Sequence, residues 1–482
     1  MKKNFQKMVS FINNDYSKFL FIVSIILACI FIGANFIRIF DNNFWIDELY
    51  SINLSHMSVS DLITATSFDV HPPLFYLILK AFSCVFGSHG WVFHLVPFIS
   101  YLGCVIVCLT LVRKEFNTWT SLIFLGLVSL LYNATNFIIE VRGYEWAAFL
   151  MLLSFIYFRK LLREETLKNS VLFTLFSLLA AYTHYFCILG LSSVYLILMI
   201  HALRKKGKLL KFTLGIWGST IVLYLPWCIT FFINLQSNSG KIFSAAANSV
   251  SDCMKYIFDS KFTYLFLILM FTFSIYLLIR SKDLTDKLWI ISGLLGLVIT
   301  IAFPFIVSAI ASPILFVRNI YPVCIWMWLI LSYSATKIKI PNIIGGLLIL
   351  LIVPFGLSTL KYTYDCEKRQ QVSLDNLLSA TRDAMIENHG ILVSSEEHLT
   401  NPAMKYYYPD VDFILIDSEE AFDSFIKENR KQDLWIFDSS KTEDMYPVSE
   451  RFKKEGFILS EEFSRGYLGT YTVDVYRVSS VN

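Results

Sequence analysis

The sequence has few charged residues: Asp, Glu, Lys and Arg make up 16% of the 482 residues, whereas apolar residues make up 55%. Its mean hydropathy of +0.57 is too high for a water-soluble domain and is typical of a chain with many membrane helices. The net charge is only +3, which by itself says nothing about nucleic acid, since the position of the charges matters more than their sum. No basic surface for nucleic acid is indicated, and we expect no nucleic-acid partner.

Motifs built on cysteine or glycine are missing as well. The nine cysteines include no CxxC pair, and most lie inside apolar runs, where a thiol behaves as a small buried hydrophobe. This spacing excludes a disulfide framework. No glycine-rich phosphate loop opens a helix in the C-terminal part, and the chain has no internal repeat and no low-complexity tract.

Long apolar runs predict eleven membrane-spanning helices, because a helix needs about 20 apolar residues to cross the hydrocarbon core. The predicted spans lie near 18–40, 91–112, 117–136, 141–159, 169–184, 185–203, 211–234, 262–280, 287–309, 316–336 and 341–360. The first run is too long for a signal-peptide core and no small-residue cleavage site follows it. We therefore interpret it as a helix that is retained.

Lysine and arginine are concentrated in alternate loops, for example at 113–114, 159–168 and 204–211. By the positive-inside rule these loops face the cytoplasm. Eleven crossings then place the N-terminus in the cytoplasm and the C-terminal part outside the cell membrane. The same assignment makes residues 72–87 a short helix in the membrane interface, within an outer loop of about 41–90.

The chain divides into two predicted domains, a transmembrane domain over 1–360 and an extracytoplasmic domain over 361–482. Charge rises in the second domain, where short apolar runs alternate with helical patterns. The runs lie at 391–393, 413–416, 434–437 and 472–476, and the helical patterns include 418–429 and 446–455. This alternation predicts a small α/β domain with a largely parallel sheet.

Ionisable and aromatic polar residues gather on the predicted outer face. Asp47 and Glu48 follow directly on the first span, between Trp45 and Tyr50. The others are Arg38, Asp69, His71, Glu140, Arg142, Tyr144, Glu145, His184, Tyr185, Lys241, Arg318 and Tyr321. An ionisable residue at the end of a span faces a cavity more often than lipid. Snorkelling or a local ion pair explains any single residue equally well, but the whole set on one face favours a site.

Several of these residues stand in motifs that resemble the polytopic glycosyltransferases of the GT-C class. The matching stretches are Trp45-Ile46-Asp47-Glu48, His71-Pro72-Pro73-Leu74-Phe75-Tyr76, Arg142-Gly143-Tyr144, Thr183-His184-Tyr185 and Arg318-Asn319-Ile320-Tyr321-Pro322. They occur in the family's order and cover about 40–330. The sequence is most similar to members that use polyprenyl-monophosphate sugars, such as protein O-mannosyltransferases and the lipid A aminoarabinose transferase. Members typically carry Arg-Tyr where this chain has Arg318-Asn319, so this segment departs from the pattern.

The resemblance implies an α-helical polytopic membrane enzyme with the GT-C fold and a small outer α/β domain. Its implied activity is inverting transfer of a hexosyl or pentosyl sugar from a polyprenyl-monophosphate donor, on the extracytoplasmic face, to a glycan, lipid or protein acceptor. Asp47 is the implied base for the acceptor hydroxyl, and Glu48 positions Asp47 or binds the acceptor. The implied donor-phosphate ligands are His71, Arg142 and Arg318, with Arg38 and Lys241 behind them. The implied substrate-binding residues are Tyr144, His184, Tyr185, Glu140 and Tyr321.

We expect no cofactor. Oligosaccharyl members of the class hold a divalent metal with acidic residues, but here Arg142 stands beside Glu140. A side-chain cation could replace the metal, so metal-independent catalysis is favoured over a metal site. Three alternatives stay open: a lipid-diphosphate oligosaccharide transferase of the same fold, a lipid or sugar transporter with an outer binding domain, and an inactive scaffold. Transporters often show broken helices in two related halves, and the sequence has no such symmetry.

Overall fold

The computed structural model describes residues 2–237, 249–310, 314–338, 340–394, 403–416, 418–429, 434–439, 448–460, 464–468 and 471–479. Lys241, a predicted phosphate ligand, lies outside these ranges. The chain forms two compact units. The first comprises Met1–Ile39 and Met57–Lys361, and the second comprises Phe40–His56 and Tyr362–Asn482. The segment that carries Asp47 and Glu48 therefore groups with the C-terminal residues.

Helices account for nearly all of the described residues up to Glu387. They are α1 (Lys2–Phe36), α2 (Ile46–His56), α3 (Val59–Ser67), α4 (Leu74–Phe86), α5 (Gly90–Val107), α6 (Arg113–Glu115), α7 (Thr118–Leu130), α8 (Tyr132–Phe137), α9 (Tyr144–Arg163), α10 (Leu167–Thr183), α11 (Tyr185–Lys205), α12 (Gly207–Ser237), α13 (Val250–Tyr256), α14 (Thr263–Arg280), α15 (Leu284–Ile310), α16 (Tyr321–Ala335) and α17 (Pro341–Glu387). A π-helical turn, Cys108–Val112, joins α5 to α6, and 3-10 turns occupy Ile37–Phe40 and Val317–Ile320.

Seven helical stretches among the described residues are long and apolar enough to cross a membrane. They are Ser17–Phe40, Gly90–Glu115, Tyr185–Lys205, Gly207–Ile229, Thr263–Arg280, Leu284–Ile310 and Pro341–Glu387. Each overlaps a predicted span, but Pro341–Glu387 continues 27 residues beyond the predicted end at 360, into the predicted second domain. The chain is therefore an α-helical, multi-pass membrane protein, and the predicted fold class is confirmed.

The other four predicted spans are also helical, but the helices are shorter or more charged. The prediction of one continuous helix over 117–136 is wrong, because the extended backbone of Leu131 separates α7 from α8. The helix in the predicted span 316–336 has only 15 residues, Tyr321–Ala335, and all of them are buried. Protein rather than lipid surrounds such a helix. Its apolar composition therefore indicates that the helix is buried and does not show that it crosses the membrane.

Close packing of α9, α15 and α16 forms the core of the first unit. The ring of Phe155 stacks on both Trp289 and Trp326, with centroids 4.6 and 4.4 Å away. Gly293 allows this approach, because a Cβ added there would lie 2.5 Å from Ile330 Cδ1 and 2.9 Å from Phe155 Cζ. Small residues commonly let membrane helices pack this closely. The tight contact holds the helices whose ends carry the candidate site residues.

The C-terminal part of the second unit contains a mixed six-stranded sheet. Its elements are β1 (Ile391–Ser394), β2 (Asp412–Leu415), α18 (Glu419–Asn429), β3 (Leu434–Ser439), α19 (Val448–Lys454), β4 (Ile458–Leu459), β5 (Ser464–Leu468) and β6 (Tyr471–Ser479). The strand order is β2-β1-β3-β6-β4, and β5 pairs with β6. The α/β prediction holds, including all four predicted strands, and Val393, Ile436 and Phe452 form the buried core with α18 and α19.

The prediction of a largely parallel sheet is wrong for the last three strands. β1 pairs in parallel with β2 and β3, whereas β6 pairs antiparallel with β3, β4 and β5. Two residues separate β5 from β6 in the sequence, and parallel pairing needs a crossover of a dozen or more. Two strands were missed: β4 has only two residues, and β5 lacks an apolar run.

Candidate functional site

Three predicted site residues of the first unit bring their rings together. The ring centroids of His71 and His184 lie 4.8 Å apart. Tyr144 lies 5.7 Å from His71 and 5.3 Å from His184, again between centroids. All three side chains are buried. Residues 71, 144 and 184, far apart in the sequence, thus meet at one point.

Helix boundaries place these three residues. His71 precedes Pro72 and Pro73, which lead into α4, and proline is well suited to the start of a helix because its φ is already helical. Tyr144 is the first residue of α9. His184 is the single residue between α10 and α11, and its Nδ1 accepts a hydrogen bond from Phe186 N at 3.2 Å, which caps α11. Two helix N-termini, those of α9 and α11, therefore point toward the site, and their dipoles favour an anion there.

Two arginines extend this group. Arg142 precedes α9 by two residues and is buried, and Arg318 lies half-buried in the 3-10 turn Val317–Ile320. Both guanidinium charges act on the imidazoles of His71 and His184. We call the set His71, Arg142, Tyr144, His184 and Arg318 the cationic cluster.

Arg142 is oriented by Tyr76 and Asp69, to which the sequence analysis gave no role in the site. Its Nη1 donates to the hydroxyl of Tyr76 at 3.3 Å, and that hydroxyl donates to Asp69 Oδ2 at 3.0 Å. Tyr76 is 1% exposed, whereas Asp69 is half-buried, so the relay runs from the buried guanidinium to a carboxylate that is partly open to solvent. Tyr76 stands in the same motif as His71 and Asp69 lies two residues before it. Their closeness to a selected histidine was the signal available in the sequence.

The imidazoles of the cationic cluster are held neutral. Burial lowers the pKa of His71 well below its usual value, and the guanidinium charges of Arg142 and Arg318 lower it further. Burial, followed by Arg142 and Arg318, lowers the pKa of His184 to about 3. The net electrostatic effect of the neighbouring side chains on both rings is therefore that of positive charge.

Two imidazole nitrogens of the cluster lack protein partners. His71 Nδ1 and His184 Nε2 are buried, and neither has a hydrogen-bond partner among the described residues. Buried polar atoms are nearly always hydrogen-bonded in a folded protein. Together with two guanidinium groups, which match phosphate oxygens in shape and charge, these nitrogens form a site suited to a phosphate.

Tyr185 and Tyr321 lie close to the cluster but their hydroxyls have protein partners. Tyr185 Oη accepts a hydrogen bond from Trp227 Nε1 at 3.1 Å. Tyr321 Oη donates to Glu145 Oε2 at 2.5 Å, and both residues are buried. The ring of Phe137 stands between Tyr321 and Tyr144, with centroids 4.4 and 4.6 Å away. Tyr321 is thus one aromatic ring removed from the cluster.

Arg38 and Glu140 occupy other positions in the first unit. Arg38 is buried, and its Nη1 donates to Asn35 Oδ1 at 2.8 Å and to Thr135 O at 2.7 Å. It thereby ties the end of α1 to the turn of α8. Glu140 is half-buried in a tight turn in which its carbonyl accepts from Arg142 N at 2.6 Å. That turn sets the direction in which Arg142 leaves the backbone.

Asp47 and Glu48 lie in the second unit, in the first turn of α2. Glu48 Oε2 accepts a hydrogen bond from Trp45 N at 3.0 Å and is 5% exposed. A glutamate that reaches back to the residue before the helix in this way stabilises the helix start. Asp47, one residue earlier, is half-buried. Glu48 therefore helps to define the turn that presents Asp47.

Within the described ranges, no three His, Cys, Asp or Glu side chains are grouped so that they could hold a metal. The cationic cluster would repel a divalent cation, because its two arginines are positively charged. The nine cysteines, all in described segments, are free thiols.

The fold is that of the GT-C class of membrane glycosyltransferases. The chain is similar to the crystal structure of ArnT from Cupriavidus metallidurans in the apo state, with a TM-score of 0.55 and 11% identity over 94% of this chain and 97% of that chain. It is equally similar to ArnT from the same organism bound to undecaprenyl phosphate, with a TM-score of 0.57 and 12% identity over the same shares. ArnT is a lipid A aminoarabinose transferase, so the predicted resemblance is confirmed at the level of the fold. No protein-family model and no curated protein sequence matches the chain.

Proposed function

We propose that this chain is an inverting glycosyltransferase that moves a sugar from a polyprenyl-monophosphate donor to an acceptor. The observation that carries the proposal is the buried cationic cluster of His71, Arg142, Tyr144, His184 and Arg318 in a chain with the ArnT fold. A lipid-linked phosphate needs such a cationic site near membrane helices. The complex of ArnT with undecaprenyl phosphate supports a polyprenyl lipid as the partner.

The cluster would act on the leaving group. As the bond between the anomeric carbon and the phosphate oxygen breaks, its electron pair stays on the phosphate and negative charge grows there. Arg142 is held in place by Tyr76 before the reaction, so it stabilises this charge without having to reorganise, and the charge of Arg318 acts at the same two imidazoles. His71 Nδ1 and His184 Nε2 supply polar contacts to the same phosphate. A phosphate leaves readily, so no general acid is required.

Asp47 is our proposed base. It takes the proton of the acceptor hydroxyl while the hydroxyl oxygen bonds to the anomeric carbon, on the face opposite the phosphate, which inverts the configuration. Its position in the first turn of α2 and its partial exposure leave the carboxylate able to meet a substrate. Glu48 is already used at the helix start, which supports a positioning role for it.

The first experiment is sugar transfer from a panel of radiolabelled polyprenyl-phosphate and polyprenyl-diphosphate sugars, with the total membrane fraction as the acceptor source. We expect transfer from a monophosphate donor and a loss of roughly 10²–10⁴-fold in Asp47→Asn, the range typical of general-base catalysis. Asp61→Asn, a change at an exposed carboxylate, is the matched control and should leave the rate unchanged. Equal rates in wild type and Asp47→Asn would remove Asp47 from the mechanism. Transfer from diphosphate donors alone would contradict the monophosphate assignment.

We propose that no divalent metal takes part, because the guanidinium groups of Arg142 and Arg318 can stabilise the phosphate charge. The expected result is full activity in excess EDTA. Loss of activity that magnesium or manganese restores would contradict this part of the proposal.

We also place the N-terminus in the cytoplasm and the C-terminal unit outside, from the lysine and arginine distribution. Cys366, a partly exposed thiol of α17, offers a test. A membrane-impermeant maleimide added to intact cells should label a variant in which Cys366 is the only remaining cysteine. Labelling only after the membrane is opened would reverse the orientation.

A further inference from the structure

The segment that carries Asp47 is built into the C-terminal unit by a tyrosine hydroxyl. Phe44 N donates to Tyr407 Oη at 2.8 Å, and Tyr407 Oη donates to Asn42 O at 3.0 Å. Tyr407 comes from a helical turn at 403–407, more than 350 residues later in the chain. It is 6% exposed and Phe44 is fully buried, so the hydrogen bond between these two residues is protected from water.

Two further contacts of the second unit hold the same segment. The ring of Phe44 is fully buried and meets Tyr406 edge to face, with centroids 5.3 Å apart. Asn42 N donates to Gln371 Oε1 of α17 at 2.8 Å. The backbone at 42–44 is therefore fixed on one side by α17 and on the other by the turn at 403–407.

Few residues separate the Tyr407 hydroxyl from the carboxylate of Asp47, and hydrogen bonds hold the backbone between them. Phe44 is three residues before Asp47. Trp45 lies between them, with its N–H bonded to Glu48 Oε2 and its carbonyl accepting from Glu48 N at 3.0 Å. The first turn of α2 cannot shift without disturbing these bonds. The Tyr407 hydroxyl therefore restrains the backbone of residues 44–47, and with it the position of the Asp47 carboxylate.

We propose that Tyr407 is a positioning residue for Asp47, so that the C-terminal domain is a working part of the catalytic machinery. This inference rests on the proposed function, in which Asp47 is the base. It assigns a task to a domain whose sequence carries no motif of its own. A misplacement of about 1 Å in a reacting group can lower a rate roughly 10²-fold, which gives the anchor its importance.

The test compares Tyr407→Phe with Tyr408→Phe in the full-length protein. Tyr408 is the matched control, since it is the adjacent residue, is equally buried, and bonds through its hydroxyl to Thr381 Oγ1 at 2.9 Å rather than to the segment at 42–44. Hydrogen–deuterium exchange of the peptide covering 41–50 should rise in Tyr407→Phe alone. The kcat for sugar transfer should fall roughly 10- to 100-fold in the same variant. Binding of undecaprenyl phosphate should stay within twofold of wild type, because the cationic cluster lies in the other unit.

The possible results separate the inference from the proposed function. Unchanged exchange at 41–50 in Tyr407→Phe would overturn the positioning role. Faster exchange without a loss of kcat, in a protein that Asp47→Asn inactivates, would also overturn it. Equal losses of kcat in the two tyrosine variants would show a general effect on stability and contradict the inference. If Asp47→Asn itself keeps full activity, the failure belongs to the proposed function, while the exchange result still decides whether Tyr407 holds the segment.

Discussion

Helix α9 carries a buried arginine cluster at each end, and the two clusters differ in how their charge is balanced. The cationic cluster lies at its start, beside Tyr144. Arg159 lies fifteen residues further on, roughly 22 Å along the helix axis. It is completely buried, 2.8 Å from Asp286 Oδ1 and 3.5 Å from Glu115 Oε1. We call Arg159, Glu115, Asp286 and Tyr333 the arginine network.

The arginine network closes on itself. The hydroxyl of Tyr333 accepts from Arg159 Nη2 at 3.2 Å and donates to Asp286 Oδ2 at 2.8 Å. The ring of Phe116 covers the guanidinium, 4.8 Å from its centroid. Here carboxylates and rings of the protein itself surround the charge. In the cationic cluster, by contrast, the positive charges of two arginines act on two neutral imidazoles. One buried nitrogen of each imidazole, His71 Nδ1 and His184 Nε2, has no hydrogen-bond partner among the described residues. The comparison teaches that a buried arginine marks a ligand site only when the protein leaves something for the ligand to satisfy.

The largest effect on this comparison is expected from Arg159→Leu. It leaves Asp286 buried without its partner, so the free energy of unfolding should fall by about 3–5 kcal/mol. Thermal unfolding in detergent measures this. Arg163→Leu is the control, because Arg163 is 38% exposed where it meets Glu115, and it should cost about 1 kcal/mol or less. A stable Arg159→Leu protein would show that the network does not depend on its charge.

Arg142→Leu should affect ligand binding more than stability, the reverse of Arg159→Leu. Binding of undecaprenyl phosphate should weaken roughly 100-fold, because charge-assisted hydrogen bonds to a phosphate are lost. Stability should fall less than in Arg159→Leu, because the hydroxyl of Tyr76, which loses this donor, keeps its hydrogen bond to Asp69. Arg142→Lys keeps the charge without the planar fork and should lie between. A variant that binds as well as wild type would remove Arg142 from the phosphate site.

The histidines predict a dependence of stability on pH. Because the fold lowers their pKa, the unfolded chain binds more protons below about pH 6.5, the ordinary histidine value. Stability should thus be complete above that pH. It should be lost as the pH falls, by roughly 1.4 kcal/mol per pH unit for each imidazole. The transition temperature between pH 5 and 8 measures this, and His184→Gln should make the dependence shallower. Saturating undecaprenyl phosphate should also flatten it, since an anion favours the protonated rings; identical pH profiles with and without it would contradict this account.

The smallest expected effect concerns the relay behind Arg142. Tyr76→Phe removes the hydroxyl between Arg142 Nη1 and Asp69 but keeps the ring, so donor binding should weaken by about 1 kcal/mol, or roughly fivefold. Tyr101→Phe removes another buried hydroxyl, one that bonds to Ser129 Oγ at 3.0 Å, and should leave binding unchanged. Equal effects of both substitutions would reduce the relay to a general packing role.

Much of the fold could be predicted from the sequence because its signals are local. Seven spans and four strands are visible in the sequence as apolar runs whose length fits a membrane helix or a β-strand. The break at Leu131 and strands β4 and β5 could not be predicted, since each depends on tertiary contacts and not on composition.

The five members of the cationic cluster were predicted from the sequence, but the residues that orient Arg142 and hold the segment of Asp47 were not. His71, Arg142 and His184 stand out in apolar sequence, and the structure brings them together; their roles stay predictions. Tyr76 looks like one more aromatic residue until its hydroxyl is seen beside Arg142. The pairing of Tyr407 with Phe44 joins positions 363 residues apart, and no local pattern reports such a distance. Arg159 is similar, because its partner Asp286 comes 127 residues later.

The single-residue link at His184 has a consequence for how this protein can vary. Two long helices, α10 and α11, are joined there by one residue. An inserted or deleted residue would therefore rotate one helix by about 100° relative to the other. Surface loops elsewhere tolerate changes in length, so their lengths can differ between related proteins that use different acceptors. The joint at His184 has no such freedom. We therefore expect variation among related chains to respect the spacing between residues 183 and 185, even where everything recognising the acceptor has been replaced.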